Sequence, residues 1–338
     1  MPTIAIDAMG GDFAPEAVVQ GIAQVSLDTD IDCVLVGDEH RVQKILEGQR
    51  YNPERIAIKH ASEVIEMAEE PKEAIKRKRD ASLVVAARLV ETGGAAAMVS
   101  AGNTGAAVLA CARHFPVVPG VKKTALASVY PRQVEYQGQD HLALLLDVGA
   151  TIRCDAIELV QFALMGAAYA RRISKVPAPR VGLLNMGREE TKGGEILVDA
   201  HRRMKAIEEL NFVGNVEGHD LATGRADVVV CEGLLGNVVL KLLEGVSEVA
   251  ADLATGAARQ NWRWKLGLAM LSSGVGKLRE LTDYVSYGGA PILGFEHLFI
   301  KAHGRSTPKA IGNAVKVAAK AMRDGVTDEI KTAIRASQ

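Results

Sequence analysis

Ala95-Ala96-Ala97-Met98-Val99-Ser100-Ala101-Gly102-Asn103-Thr104-Gly105-Ala106 is a continuous apolar run that closes in a small, polar turn and opens an apolar helix. An apolar run without alternation suits a strand buried on both faces, the habit of parallel sheets covered by helices. The same grammar recurs in TIAIDA (3–8), CVLVGD (33–38), LALLLDVG (142–149), RVGLLNMG (180–187), FVGNVE (212–217) and DVVVCEG (227–233). Amphipathic stretches at 72–90, 155–172, 194–210 and 236–254 are long enough to be crossover helices. The pattern predicts an α/β fold with a doubly wound sheet, and a length of 338 residues leaves two domains or one large α/β unit open. In such sheets ligands collect at the carboxyl ends of strands, so the turns there are the place to look for chemistry.

The bulk properties exclude several classes of function. Forty basic residues stand against 41 acidic ones, a net charge of -1, which disfavours nucleic acid as a partner. Cys33, Cys111, Cys154 and Cys231 show no metal-ligand spacing, so a reduced, cytoplasmic protein without structural zinc is expected. No apolar run approaches the ~20 residues of a spanning helix, and the N-terminus has no basic leader.

Six turns carry groups able to do chemistry. Asp7, Gly10, Gly11 and Asp12 precede Pro15, where paired glycines admit either a close approach to an anion or simply a tight turn before a helix. Gly102, Asn103, Thr104 and Gly105 form a donor-rich helix start of the kind that holds phosphate, without the spacing of a dinucleotide or nucleotide triphosphate site. Lys192, at the end of the polar loop 185–194, is placed to neutralise phosphate or an oxyanion, although loop lysines are usually just solvated. Glu232 ends a VVV strand before Gly236 and Asn237; it either handles a proton or phosphate, or faces a helix dipole. His303, Arg305 and Ser306 sit beside Gly304 near the C-terminus, and YGGAP (287–291) is a further small-residue turn. Cys231 closes an apolar strand with no adjoining histidine and reads as buried, not nucleophilic.

Two basic segments stand apart. Lys76-Arg77-Lys78-Arg79 is either a docking face for an acidic partner or a solvated helix face. Between 253 and 279 there is no acid, while Arg259, Arg263, Lys265, Lys277 and Arg279 flank an apolar stripe that includes Trp264, Leu268 and Leu271. That composition fits a basic amphipathic helical insertion at 253–285, lying either on anionic lipid or in a dimer interface.

Taken together and in order, DAMGGD, SAGNTGA, LLDVGA, the N-x-G-x-E-x-x-K-G loop, GNVE, EG-x-x-GN with VVLK after it, YGGAP and KAHG resemble the bacterial acyl-ACP:phosphate acyltransferase family of phospholipid synthesis. The resemblance covers about residues 3–325. It implies a homodimer with a three-layer α/β/α, isocitrate/isopropylmalate dehydrogenase-like fold, also similar to phosphotransacetylase, with residues 1–338 as a single large catalytic unit. The implied reaction moves a fatty acyl group from acyl carrier protein to inorganic phosphate, and the acyl phosphate passes to a membrane glycerol-3-phosphate acyltransferase. The chemistry itself calls for no cofactor and no metal, and the basic segment at 253–285 is the expected point of peripheral contact with the cell membrane.

Lys192 matches the family's loop lysine, and Glu232 stands where aspartate is commoner. Two segments depart from the family, FEHL (295–298) in place of a glycine-containing stretch and HGRS (303–306) in place of HGSS. The expected mechanism holds phosphate on the 102–105 donors and Asn103, with Lys192 or Arg305 assisting and Glu232 orienting phosphate or taking its proton. A coenzyme A-dependent phosphotransacetylase, a decarboxylating dehydrogenase and a non-catalytic membrane scaffold are the rival readings.

Overall fold

The computed structural model describes residues 3–133, 141–260, 266 and 288–337. The first part of the chain runs β1 (Thr3–Asp7), α1 (Glu16–Asp28), β2 (Asp32–Gly37), α2 (Glu39–Glu47), β3 (Ile56–His60), α3 (Pro71–Arg77), α4 (Ser82–Glu91), β4 (Ala97–Ser100) and α5 (Thr104–His114). The second runs β5 (Ala125–Pro131), β6 (Leu142–Leu146), α6 (Ala156–Ile173), β7 (Val181–Leu184), α7 (Gly194–Lys205), β8 (Phe212–Val216), α8 (Gly218–Thr223), β9 (Val228–Val230) and α9 (Gly233–Gln260). Strands β10 (Ala290–Leu293) and β11 (Leu298–Lys301) follow, then helices α10 (Pro308–Arg323) and α11 (Val326–Ala336).

Among the described residues these strands form an 11-stranded sheet in the order β3-β2-β1-β4-β11-β10-β5-β6-β9-β7-β8. Side-chain alternation puts Ile4 and Ile6 into one core and Ala5 into the other, and β4 and β9 divide in the same way. Each continuous apolar run is thus two buried faces at period two. Helices α1, α6, α10 and α11 cover one core, and α4 and α5 cover the other. The result is an α/β fold with a mixed sheet and helices on both sides.

The sheet is mostly parallel, as expected, with an antiparallel centre that the sequence pattern did not reveal. Its flanks, β3-β2-β1-β4-β11 and β6-β9-β7-β8, are parallel. They are joined through β10 and β5, which pair antiparallel to each other and to β11 and β6. Four strands escaped the sequence reading. β3 is a half-exposed edge with a weak apolar signal, β10 begins in a glycine-proline turn, and β5 and β11 lie among polar residues. The stretch 72–90 is two helices, because Lys78 and Asp80 are drawn out of register: Lys78 Nζ donates to the Val64 carbonyl and Asp80 accepts from the Ser62 backbone and hydroxyl. Helix α9 runs on to Gln260, so residues expected to begin a separate insertion at 253 continue it.

At the amino edge of the second half, Asp227 is nearly buried between two arginines, 2.7 Å from Arg132 and 3.1 Å from Arg180. Burial pushes its carboxyl upward, but the Arg180 hydrogen bonds and the Arg132 charge outweigh that and hold it below its ordinary value. Asp227→Asn should cost about 3 kcal/mol in chemical denaturation, the usual loss when one partner of a buried pair is removed. Since the folded pKa is depressed, this contribution is complete above the ordinary carboxylate value of about 3.9 and fades as pH falls below it. The variant's stability should therefore lose part of the wild type's acid limb.

Candidate active site

The turns after β1 and β4 are built around one buried carboxylate. Asp7 accepts from Ser82 Oγ at 2.6 Å, Ser100 Oγ at 2.7 Å and the Met9 N–H at 3.3 Å. Burial raises its pKa, and the two serine hydrogen bonds oppose that. Gly10 and Gly102 are required by close approach: a Cβ on Gly10 would lie 2.3 Å from Asp7 Oδ2 and 2.8 Å from the Gly102 nitrogen. Asn103 caps α5 through the Ala106 N–H and donates to the carbonyls of Met67 and Glu69. Gly105 packs on Pro71, and the Asp12 N–H reaches the Gly304 carbonyl beside Gly11 at 2.8 Å. Of this constellation Thr104 and Asp12 reach open space, while Asp7, Gly10, Gly102, Asn103 and Gly105 hold the turns together.

A second carboxylate does the same across the sheet. Asp147, fully buried at the end of β6, accepts from the N–H groups of Leu126, Gly149, Ala150 and Thr151 and from the Thr151 hydroxyl. Thr151 Oγ1 then accepts from the Gly233 N–H at 3.0 Å, seating the start of α9 on this loop. Gly236 permits the contact, since a Cβ there would stand 1.8 Å from the Asp147 carbonyl oxygen. The Cys231 thiol lies 3.4 Å from that carbonyl, and burial pushes its pKa well above the ordinary thiol value.

Between these two assemblies, over the antiparallel middle of the sheet, lies a cleft of about 580 Å³. Its lining includes Lys241, Lys301 and Arg305, whose charges reach His303, together with the apolar Leu126, Val129, Val148, Ile152, Leu234 and Leu240 and the polar Thr104, Thr151 and Asn237. Asp12 and Glu244 also line it, and Glu244 accepts from Lys241 Nζ at 2.7 Å. Lys301 is 7% exposed. Burial lowers its pKa to about 8 against the pull of Asp7 and Asp12. Burial also lowers His303, as does the charge of Lys241.

Thr104, Asn237, His303 and Arg305 are thus brought together, while other expected residues lie elsewhere. Lys192 is exposed in the loop after β7. That loop borders a separate, largely apolar cavity of about 450 Å³ between Asn185, Met186, Gly193, Leu197, Leu235 and Val239. Helix α9 stands between the two spaces, turning Asn237 and Lys241 to the cleft and Leu235 and Val239 to the cavity. Glu232 lies 3.6 Å from Arg153 and outside the cleft lining. The run 76–79 divides: Lys78 is tied to Val64 and Glu69, Arg77 lies 3.9 Å from Glu69, and Lys76 and Arg79 border a small basic hollow. Trp264, Leu268 and Leu271 lie outside the described residues. Glu217, His219 and Asp220 bring three donor atoms together, away from the cleft, with Asp220 already 2.6 Å from Arg188.

Sequence reading missed Lys241, Lys301, Asp147 and Thr151 as site-forming residues. For Lys301 a signal existed, a cation closing the apolar run Leu298–Lys301, where an unpaired charge is costly enough to need a reason.

The model of the family described as "Fatty acid synthesis protein" matches residues 2–329. The chain belongs to this family. It is 40% identical over 331 residues to the phosphate acyltransferase of Pelotomaculum thermopropionicum, covering 98% of this chain and 94% of that one. With the phosphate acyltransferase of Desulfitobacterium hafniense strain Y51 the identity is 43% over 332 residues, 98% and 97% of the two chains. Membership makes the protein an acyl-transferring enzyme of lipid biosynthesis. In fold it is similar to a phosphotransacetylase from Streptococcus pyogenes, with a TM-score of 0.62 at 16% identity over 95% and 94% of the chains. A 4-hydroxythreonine-4-phosphate dehydrogenase (putative) from Salmonella typhimurium gives 0.53 at 14% identity over 95% and 99%.

The tight seat of α9 yields a direct expectation. Gly236→Ala should destabilise the protein by about 2 kcal/mol through overpacking against the 147–151 loop and should reduce turnover more than Gly312→Ala does, whose added Cβ comes no nearer than 3.2 Å to Val25 Cγ2. Equal behaviour of the two variants would separate the helix seat from the cleft.

Proposed function

We propose that this cleft transfers a fatty acyl group from the thioester of acyl carrier protein to inorganic phosphate, giving acyl phosphate for a membrane glycerol-3-phosphate acyltransferase. One observation carries the reading: cations, Lys301 and Arg305 among them, and a set of apolar side chains line the same cleft. A phosphate dianion suits the first and the start of an acyl chain the second. Phosphate is already nucleophilic near neutral pH and an alkyl thiolate leaves readily, so positioning and charge stabilisation are the main tasks. Backbone donors in the open first turn of α5, with Thr104, assist in holding phosphate. Lys192, in the loop that borders the second cavity, and Glu232, just before α9, are left to shape the approach, and the catalytic load moves to the cleft cations. The isocitrate/isopropylmalate dehydrogenase-like architecture in one catalytic unit belongs to the same proposal.

The carrier would dock on the hollow formed by Lys72, Lys76, Arg79 and Arg113 around Ile75 and Leu109. Its four cations and apolar floor complement an acidic carrier helix. A second copy of the chain would cover α9, where Val238, Leu242, Val246, Val249 and Leu253 are all more than half exposed at the three- and four-residue spacing of a packing stripe. The basic segment that follows, with Trp264, Leu268 and Leu271, would then meet anionic lipid at the cytoplasmic face of the membrane. Among the described residues no helix is long and apolar enough to cross a membrane.

Purified protein given acyl carrier protein thioester and labelled phosphate should form acyl phosphate, trapped as the hydroxamate, and should work less well with the coenzyme A thioester. The reverse preference would favour a phosphotransacetylase. Lys76→Glu with Arg79→Glu should raise KM for the carrier thioester about tenfold while leaving that for a pantetheine thioester unchanged. Leu242→Arg with Val249→Arg should shift the sedimenting species from dimer to monomer, and an unchanged mass would remove α9 from the interface.

A further inference from the structure

We propose that Lys301 is the catalytic acid of this reaction, donating the proton that the departing carrier thiolate takes up, and that it also pairs with the incoming phosphate. The inference rests on the acyl-transfer reading above and adds to it a residue and a proton path.

The placement comes from strand register. Lys301 ends β11, pairs with Ser100 at the end of β4 on one side and with Ala290 at the start of β10 on the other. Ser100 in turn donates to Asp7 at the end of β1. A cation and a carboxylate therefore flank a hydroxyl along one row of strand ends, beneath the cleft. Among the described residues the hydrogen bond from Lys301 Nζ goes to the Ala302 carbonyl, which uses one of its three donors. Facing it are Asp7 and Asp12 from the β1 turn, Lys241 and Glu244 from α9, and His303 and Arg305 from its own turn. An aliphatic ammonium so buried, at the lining of a cleft, is expensive to keep unless it serves a ligand or a reaction.

The other cations are poorly suited to give up a proton. Arginine does not deprotonate, and Lys241 is exposed and paired with Glu244. Burial, and then the charge of Lys241, hold His303 below its ordinary value and so disfavour its imidazolium form. Lys301, brought to about 8, stands close to the value of about 8.5 for an alkyl thiol. Such matching is what efficient proton transfer needs.

The step balances as follows. An unprotonated oxygen of hydrogen phosphate attacks the thioester carbonyl, a C–O bond forms, and the C–S bond breaks with its electron pair going to sulfur. The Lys301 ammonium protonates that sulfur, and the resulting amine recovers a proton from the P–OH of the acyl phosphate, a group with a pKa near or below about 6. Nothing is oxidised or reduced, and the products are acyl phosphate and the free carrier thiol.

Lys301→Arg keeps the charge and removes the transferable proton, and Lys301→Met removes both. With carrier thioester, Lys301→Arg should lower kcat at least about 100-fold with KM for phosphate little changed, whereas Lys301→Met should also raise that KM. The deficit of Lys301→Arg should shrink at least tenfold with the acyl thioester of an acidic aryl thiol, which departs without protonation. A merely structural lysine would give equal deficits with both leaving groups, and that result overturns the proposal. Competitive acetylation of the wild type, which avoids any folding defect, should show Lys301 titrating near 8 and shielded by phosphate; an ordinary lysine profile also overturns it. If the wild type makes no acyl phosphate from either thioester, the acyl-transfer reading fails instead, and the assignment of Lys301 falls with it.

Discussion

The fully buried carboxylate of Asp147, holding four backbone N–H groups and a hydroxyl, governs how α9 is seated and so what that helix presents to the cleft. A carboxylate buried away from water is unfavourable unless its oxygens are satisfied. Satisfying them folds residues 147–151 back on the end of β6. That loop then presents Thr151 to the start of α9, and the close contact at Gly236 sets the direction in which the helix leaves. One face of α9 supplies Asn237, Leu240, Lys241 and Glu244 to the cleft. Asp7 plays the matching part across the sheet, drawing the turns after β1 and β4 together.

Both carboxylates sit where parallel strands end, and the cleft opens between them because β5 and β10 run against their neighbours. Leu126, early in β5, donates its N–H to Asp147 at the end of β6, and Ala290, at the start of β10, pairs with Lys301 at the end of β11. Because β5 and β10 are themselves antiparallel, the two parallel flanks run in opposite directions, and the cations and apolar side chains of the cleft come from separate segments. The same reversal buries Lys301 by placing it between strands instead of at a sheet margin.

The strands buried on both faces were legible because a two-faced core demands uninterrupted Val, Ile, Leu and Ala, as in 142–149 and 227–233. Helix α6 was legible from its periodicity, and its capping box at Asp155 and Glu158 anchors the expected start. Edge strand β3, with alternate residues exposed, has no such demand on it. The break between α3 and α4 was hidden because it is made by the far ends of Lys78 and Asp80, whose partners at Val64 and Ser62 lie well upstream.

For the site, local chemistry marked the right turns but misjudged which atoms in them face a ligand. Glycine pairs at 10–11 and 102–105 read equally as anion cradle and as close packing, since both need a missing Cβ; contact with Asp7, Ala101 and Pro71 shows that packing uses them. Lys192 and Lys301 are both lysines in segments that follow or close a buried strand, and composition treats them alike. One is exposed on a loop and the other is buried between β4 and β10. Residue type and spacing set the fold class, the family and the turns that matter, because these follow from local hydrophobicity and backbone needs. Which cation is buried, and so which can change its protonation near neutral pH, depends on strand order and on carboxylates far away in the chain, a sum of desolvation and charge that arises when distant segments pack together.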